Sequence, residues 1–66
     1  MEIVVNGERH QVAEQASLAA AVSLVTSAAT GVAAARNGDV VRRVAWESTR
    51  LAEGDQVEVL TAVQGG

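Results

Sequence analysis

The chain finishes on Gly65-Gly66, a dipeptide without side chains that would end in a free carboxylate. Glycine tolerates backbone angles closed to other residues, so such an end can thread a narrow channel and bring its carboxylate to another protein's active site. The chemistry on offer is acyl chemistry at a single group, the carboxylate of Gly66. The plain alternative is a frayed terminus, because the last residues of most domains are poorly ordered and small or polar.

Little else along the 66 residues could react. Cysteine is absent, which excludes disulfides, thiolate metal sites and any internal thiol able to act as nucleophile or carry a persulfide. His10 is the sole histidine, so no histidine cluster can hold zinc, and no serine has an obvious paired base. A domain of this size buries only about 60% of its unfolded surface and has no room for a cleft between lobes. The chain reads as a non-enzyme that binds no metal or cofactor of its own.

Net charge is -3, and the five cations are all arginine: Arg9, Arg36, Arg42, Arg43 and Arg50. An acidic chain whose basic doublet is Arg42-Arg43 and whose sole aromatic is Trp46 lacks the charge footprint and stacking platform of a nucleic-acid binder. No apolar run approaches the length of a membrane span, and Met1-Glu2 has the wrong charge to open a signal peptide. A cytoplasmic protein with neither nucleic-acid nor membrane partners is expected.

The elements that must present the tail follow from local pattern. Met1 to Asn6 is rich in β-branched residues and places Met1, Ile3 and Val5 on one face, Glu2, Val4 and Asn6 on the other. Asn6-Gly7 is the dipeptide that most readily takes the two positive φ values of a type I′ hairpin turn. Glu8 to Ala13 is then the returning strand, with Val12 and His10 inward; a single histidine there reads as a packing or surface residue. Ser17 offers an N-cap to a helix over roughly 18 to 28, in which Leu18, Ala21, Val22 and Val25 form one apolar stripe. Val32 to Arg36, Asn37-Gly38-Asp39 and Val40 to Arg43 read as strand, tight turn, strand, with Arg42-Arg43 guarding an edge against unwanted pairing, the alternative being a contact for an anionic partner. Val44 to Arg50 has no period and is expected to be an irregular or one-turn crossing, anchored by Trp46, whose N–H would need a partner if buried.

After a turn at Glu53-Gly54-Asp55, Gln56 to Val63 alternates, with Val57, Val59 and Thr61 on one face and Glu58, Leu60 and Ala62 on the other. This last strand leads straight into Val63-Gln64-Gly65-Gly66 and aims the tail away from the body. One domain, 1–66, with a flexible C-terminal tail at 63–66 is expected. A helix across one face of a mixed four- or five-stranded sheet satisfies the layer rule for an α+β fold. If the final strand lies parallel beside the first, the helix supplies much of the long connection that parallel pairing requires, although periodicity alone does not force that order.

Taken together, the opening Met1-Glu2-Ile3-Val4-Val5-Asn6-Gly7-Glu8, Gly31-Val32-Ala33, Asn37-Gly38-Asp39-Val40-Val41, Trp46, Leu51, Gly54-Asp55, Val57-Glu58 and the ending Ala62-Val63-Gln64-Gly65-Gly66 resemble the ThiS family, the sulfur carriers of thiamine biosynthesis. The resemblance covers essentially the whole chain. Arg42 stands where the family commonly has proline, and the helix is richer in alanine than is usual there. The resemblance implies a β-grasp, ubiquitin-like fold. It further implies that a ThiF-type enzyme, using ATP and magnesium, adenylates the carboxylate of Gly66, and that sulfur from a persulfide donor displaces AMP to leave a thiocarboxylate. A ThiG-type synthase then takes the sulfur into the thiazole ring. Gly65, Gln64 and Val63 would accompany Gly66 into the partner's active site, and the chain would act as a monomer.

Recognition must come from the folded body, since the dipeptide carries little information. Leu60 and Ala62, with Val4 on the first strand, are candidates for a small apolar partner surface; the alternative is that they are ordinary exposed apolar residues. Other readings are a sulfur carrier for molybdopterin synthesis, a ubiquitin-like interaction module that is never activated, and a modifier joined to a target lysine.

Overall fold

In the computed structural model, which describes residues 1–28 and 30–62, the elements are β1 (Glu2–Val5), β2 (Glu8–Gln11), α1 (Leu18–Ser23), β3 (Val32–Arg36), β4 (Asp39–Val41) and β5 (Gln56–Thr61). A 3-10 turn, Arg43–Ala45, stands between β4 and β5. Both hairpins form where Asn-Gly was read as the turn: φ is 50° and 83° at Asn6 and Gly7, and 51° and 88° at Asn37 and Gly38. Two successive positive φ values match the right-handed twist of the strands on either side.

The hairpins do not pair with each other. Strand order is β2-β1-β5-β3-β4, so β5 lies between them, parallel to β1 with Val5 opposite Val57 and antiparallel to β3 with Ala34 opposite Val59. Parallel pairing needs a long crossover, and the whole stretch from β2 to β4 supplies it. The result is the mixed five-stranded sheet with a single α-helix expected of a β-grasp domain.

Alternation decides what the sheet buries. Ile3, Val5, Ala34, Val57 and Val59 turn inward to meet Leu18, Ala21 and Val22 of α1, with Trp46 and Leu51 closing the side. Trp46 is the anchor its sequence context implied: it is buried, and its indole N–H donates to the Val41 carbonyl at 2.9 Å. Met1 continues the first hairpin by a further pair, its nitrogen donating to the Val12 carbonyl and its carbonyl accepting from the Val12 N–H. The helix begins where Ser17 caps it, Oγ accepting from the Ala20 N–H at 3.1 Å, and its start is tied to the crossing by Leu18 N–H to Thr49 and Leu51 N–H to Ala16.

Two expectations are corrected. α1 stops at Ser23 rather than near 28. The N–H groups of Leu24 and Val25 bond three residues back, to Ala21 and Val22, which tightens the last turn. The Thr26 hydroxyl then accepts from the Ala28 N–H, a local bond that competes with helix. Val25 therefore leaves the buried stripe and is 42% exposed. Arg42 and Arg43 also lie off the edge strand: Arg42 is the extended residue before the 3-10 turn, and the Arg43 guanidinium sits over the Trp46 ring, 5.3 Å from its centroid, a cation–π contact.

At the start of β5 a buried carboxylate, Asp55, joins three segments. Its oxygens accept from the Ala52 N–H at 2.8 Å, the Asn37 amide at 3.1 Å and the Arg36 guanidinium at 2.9 Å. Burial by itself would raise this carboxyl's pKa; the Ala52 and Asn37 bonds and the Arg36 charge outweigh it and hold the group below the ordinary carboxylate range. A depressed folded-state pKa stabilises the fold above the unfolded value, about 3.9, and that contribution disappears as pH falls through the folded value. Among the described residues no helix is long and apolar enough to cross a membrane.

Two measurements test this account of the core. Asp55→Ala should cost about 2–3 kcal/mol in urea unfolding at pH 7, since it strands the Ala52 and Asn37 donors, and should flatten the loss of stability expected of the natural protein below about pH 4. Leu18→Ala should cost about 3 kcal/mol, whereas Val25→Ala, outside the core, should change stability by about 0.5 kcal/mol or less.

Candidate functional site

β5 is the strand that leads to the chain's end, so the site is built around its last turns of pleat. The strand is assigned to Thr61, and the next residue, Ala62, donates its N–H to the Gly31 carbonyl at 2.6 Å. Gly31 has φ of 73°, and a Cβ placed on it would come within 3.1 Å of the Ala62 Cβ. Backbone conformation and close approach both require glycine there. On the opposite edge of β5, the Asn6 side chain accepts from the Val59 N–H at 2.8 Å and donates to the Val59 carbonyl at 3.1 Å. Val63, Gln64, Gly65 and Gly66, which carry the carboxylate reading and the expected flexibility of the tail, lie outside the described residues.

The sheet face turned away from α1 carries an apolar shelf beside this exit. Leu60 is 71% exposed and lies opposite Ala33. Val40, 79% exposed, lies opposite Ala35. With Gly38 and Glu58 these residues line a shallow cavity of about 190 Å³. Of the three surface residues proposed from sequence, Leu60 and Ala62 follow one another on this face. Val4 does not join them: it is half-buried and level with Gln56, four residues short of Leu60 on a parallel strand, or about 13 Å away. Ala33, Ala35 and Val40 take its place. In β3 the signal was present as Ala33 and Ala35 alternating with Val32 and Ala34, but three of these four are alanine and give that alternation little hydropathy contrast.

A larger cavity, about 630 Å³, opens on the other face between the end of α1 and the 3-10 turn, where Val22, Ser23, Thr26, Arg43 and Trp46 meet. Ser27 and the Glu47 carboxylate line it as well, but the Ser23 hydroxyl donates to the Ala19 carbonyl at 3.1 Å and the Thr26 hydroxyl accepts from the Ala28 N–H at 3.0 Å, so these two hydroxyls serve the helix end. Asp55, whose carboxyl is displaced from its ordinary range, stands at the start of β5, at the far end of the strand from Ala62. Its perturbation comes from structural bonds and marks no reacting centre. His10 lies on the outer hairpin, 3.8 Å from a Glu8 carboxylate oxygen. What the exit offers is a held strand end, a glycine-lined bend and an apolar shelf.

The family model described as the ThiS family matches the sequence over residues 1–66. The chain belongs to the ThiS family. Among solved structures, the crystal structure of the thiamine biosynthesis protein ThiS from Geobacter metallireducens is 35% identical, with all of both chains covered and a TM-score of 0.80. The solution structure of a thiamine biosynthesis protein from the same organism is 33% identical, covering all of this chain and 88% of the other, with a TM-score of 0.79. No curated protein matches the chain. For a ThiS-family sheet the departure at Arg42 has a visible outcome: its φ of -65° is the angle a proline ring would fix, so arginine keeps the geometry without the ring.

Gly31 provides the test of the exit. Gly31→Ala should destabilise the fold by about 1–2 kcal/mol through the left-handed backbone, and should speed hydrogen exchange of the Ala62 amide more than that of Val57. Equal acceleration at both positions would mean that Gly31 does not hold the exit locally.

Proposed function

We propose that this chain is a sulfur carrier of thiamine biosynthesis, a co-substrate and not an enzyme, working through the carboxylate of Gly66. The observation that carries the reading is whole-chain membership of the ThiS family, on a sheet whose central strand, β5, is the last element before the Gly65-Gly66 end of the sequence. A carboxylate is a poor electrophile, so activation comes first. A ThiF-type partner, using ATP and magnesium, joins the carboxylate oxygen to the α-phosphorus and releases pyrophosphate. A persulfide sulfur attacks the acyl carbon and AMP leaves. A thiol then takes the donor's remaining sulfur as a disulfide, freeing the thiocarboxylate. A ThiG-type synthase uses that sulfur for the thiazole ring.

The residues suit each step. Gly65 and Gly66 put no side chain in the path of either nucleophile, and no cysteine or lysine side chain is available to capture the activated acyl group. The shelf of Leu60, Ala33, Ala35 and Val40 is the docking surface for the adenylating partner, because it lies beside the strand end that must enter that partner's active site. Ala62 continues the same face toward the tail.

Intact mass after incubation with the adenylating enzyme, ATP, magnesium and a persulfide donor tests the reading: one oxygen should be replaced by sulfur. Deleting Gly66 should abolish the change, and sulfur transfer that survives the deletion overturns the assignment. Leu60→Asp should raise the KM for the carrier about tenfold with the circular dichroism spectrum unchanged; an unaltered KM would remove the shelf from the interface.

A further inference from the structure

β1 gives out before β5 does. The last paired position between them is Val5 opposite Val57, and the Asn6 N–H donates to the Val57 carbonyl at 2.9 Å. At Asn6 the backbone turns away, φ being 50° there and 83° at Gly7. Beyond this point the backbone of β1 is no longer alongside the half of β5 that leads to the tail.

The Asn6 side chain reaches where its backbone does not. A carboxamide has the same acceptor and donor as a peptide group, and this one presents both to a single residue: Oδ1 accepts from the Val59 N–H at 2.8 Å and Nδ2 donates to the Val59 carbonyl at 3.1 Å. The amide thus acts as one more residue of β1. Across the strand, β3 pairs as far as Val32 opposite Thr61, and Gly31 holds Ala62. β5 is gripped from both sides at Val59 and from one side at Ala62.

The second turn has the same device at the other end of the strand. Asn37 accepts from the Gln56 N–H at 2.9 Å, gives its own N–H to the Gln56 carbonyl at 2.7 Å, and passes its amide hydrogen to Asp55. That end is already fixed by the Asp55 network and faces away from the tail. Among the described residues, the Asn6 side chain is what holds β5 from the β1 side beyond Val57.

We infer that Asn6 is a positioning residue for the acyl chemistry of the tail, fixing the direction in which the chain leaves Val59; this rests on the function proposed above. The side chain touches no reacting atom. Its effect is to limit how far the exit can swing about the end of the β1 ladder, and small misplacements of a reacting group are costly, about a hundredfold in rate for 1 Å. The shelf that binds the partner lies on β3, β4 and the outer face of β5 and makes no use of Asn6, so binding and positioning are separable.

The test uses the full chain with its adenylating enzyme, comparing the natural protein with Asn6→Gly and Asn6→Asp. Glycine keeps the turn, since it accepts the positive φ, and removes both bonds to Val59. Aspartate keeps the acceptor for the Val59 N–H and loses the donor. Exchange of the Val59 amide should rise about tenfold in Asn6→Gly, with the Ile3 amide changed far less. For pyrophosphate release, kcat should fall about tenfold or more, KM for the carrier should stay within about twofold, and Asn6→Asp should lie between the two. Faster Val59 exchange with unchanged kcat overturns the positioning role alone and leaves the sulfur-carrier reading intact. A change confined to KM also overturns it, by placing Asn6 in the docking surface. If the natural chain is not adenylated at all, the functional reading fails and the positioning role with it.

Discussion

The seating of β5 between two hairpins is the constraint on which everything else depends. Each hairpin is a local product, closed by its own Asn-Gly turn, and neither touches the other through the sheet. Within the sheet β5 joins them, pairing with β1 in parallel and with β3 in antiparallel register. Its inward residues, Val57 and Val59, meet the helix as well. Such pairing closes a long loop before it brings any reward, which explains why the strand is held by side chains in addition to the ladder: Asp55 and Asn37 at one end, Asn6 at the other.

How much of this was legible in the sequence depended on whether a residue's role was local. Asn6-Gly7 and Asn37-Gly38 could be read because two positive φ values in succession admit few dipeptides. Ser17 could be read as a cap, and Val57 and Val59 as inward, because neighbours three or two residues away supply the reason. The other half of each asparagine's work was hidden, since bonds from Asn6 to Val59 and from Asn37 to Gln56 cross 53 and 19 residues. Asp55 looked like a turn residue for the same cause: its partners Arg36 and Asn37 belong to another hairpin.

The misread helix end and the misplaced Arg42-Arg43 pair teach something narrower. Periodicity carried Val25 onto the buried stripe, but the hydroxyl of Thr26 offered the backbone a better local bond and the helix stopped. Arg43 was read by its charge, whereas its planar guanidinium found the face of Trp46. At the candidate site, Leu60 was visible as a large outward residue. Ala33 and Ala35 were not, because alanine is equally at home inside a sheet and on it. The shelf became apparent only when the register set them beside Leu60 and Val40.

The parallel pairing of β1 with β5 also has a mechanical meaning. β1 begins at the end of the sheet opposite to the one where β5 finishes, so a pull on the tail draws β5 lengthwise past its neighbour. Load of that kind is shared along the ladder and along the buried Val57 and Val59 side chains, whereas a hairpin pulled at its open end would unzip bond by bond. Tension applied at the C-terminal side of β5 therefore loads the sheet along its most resistant direction.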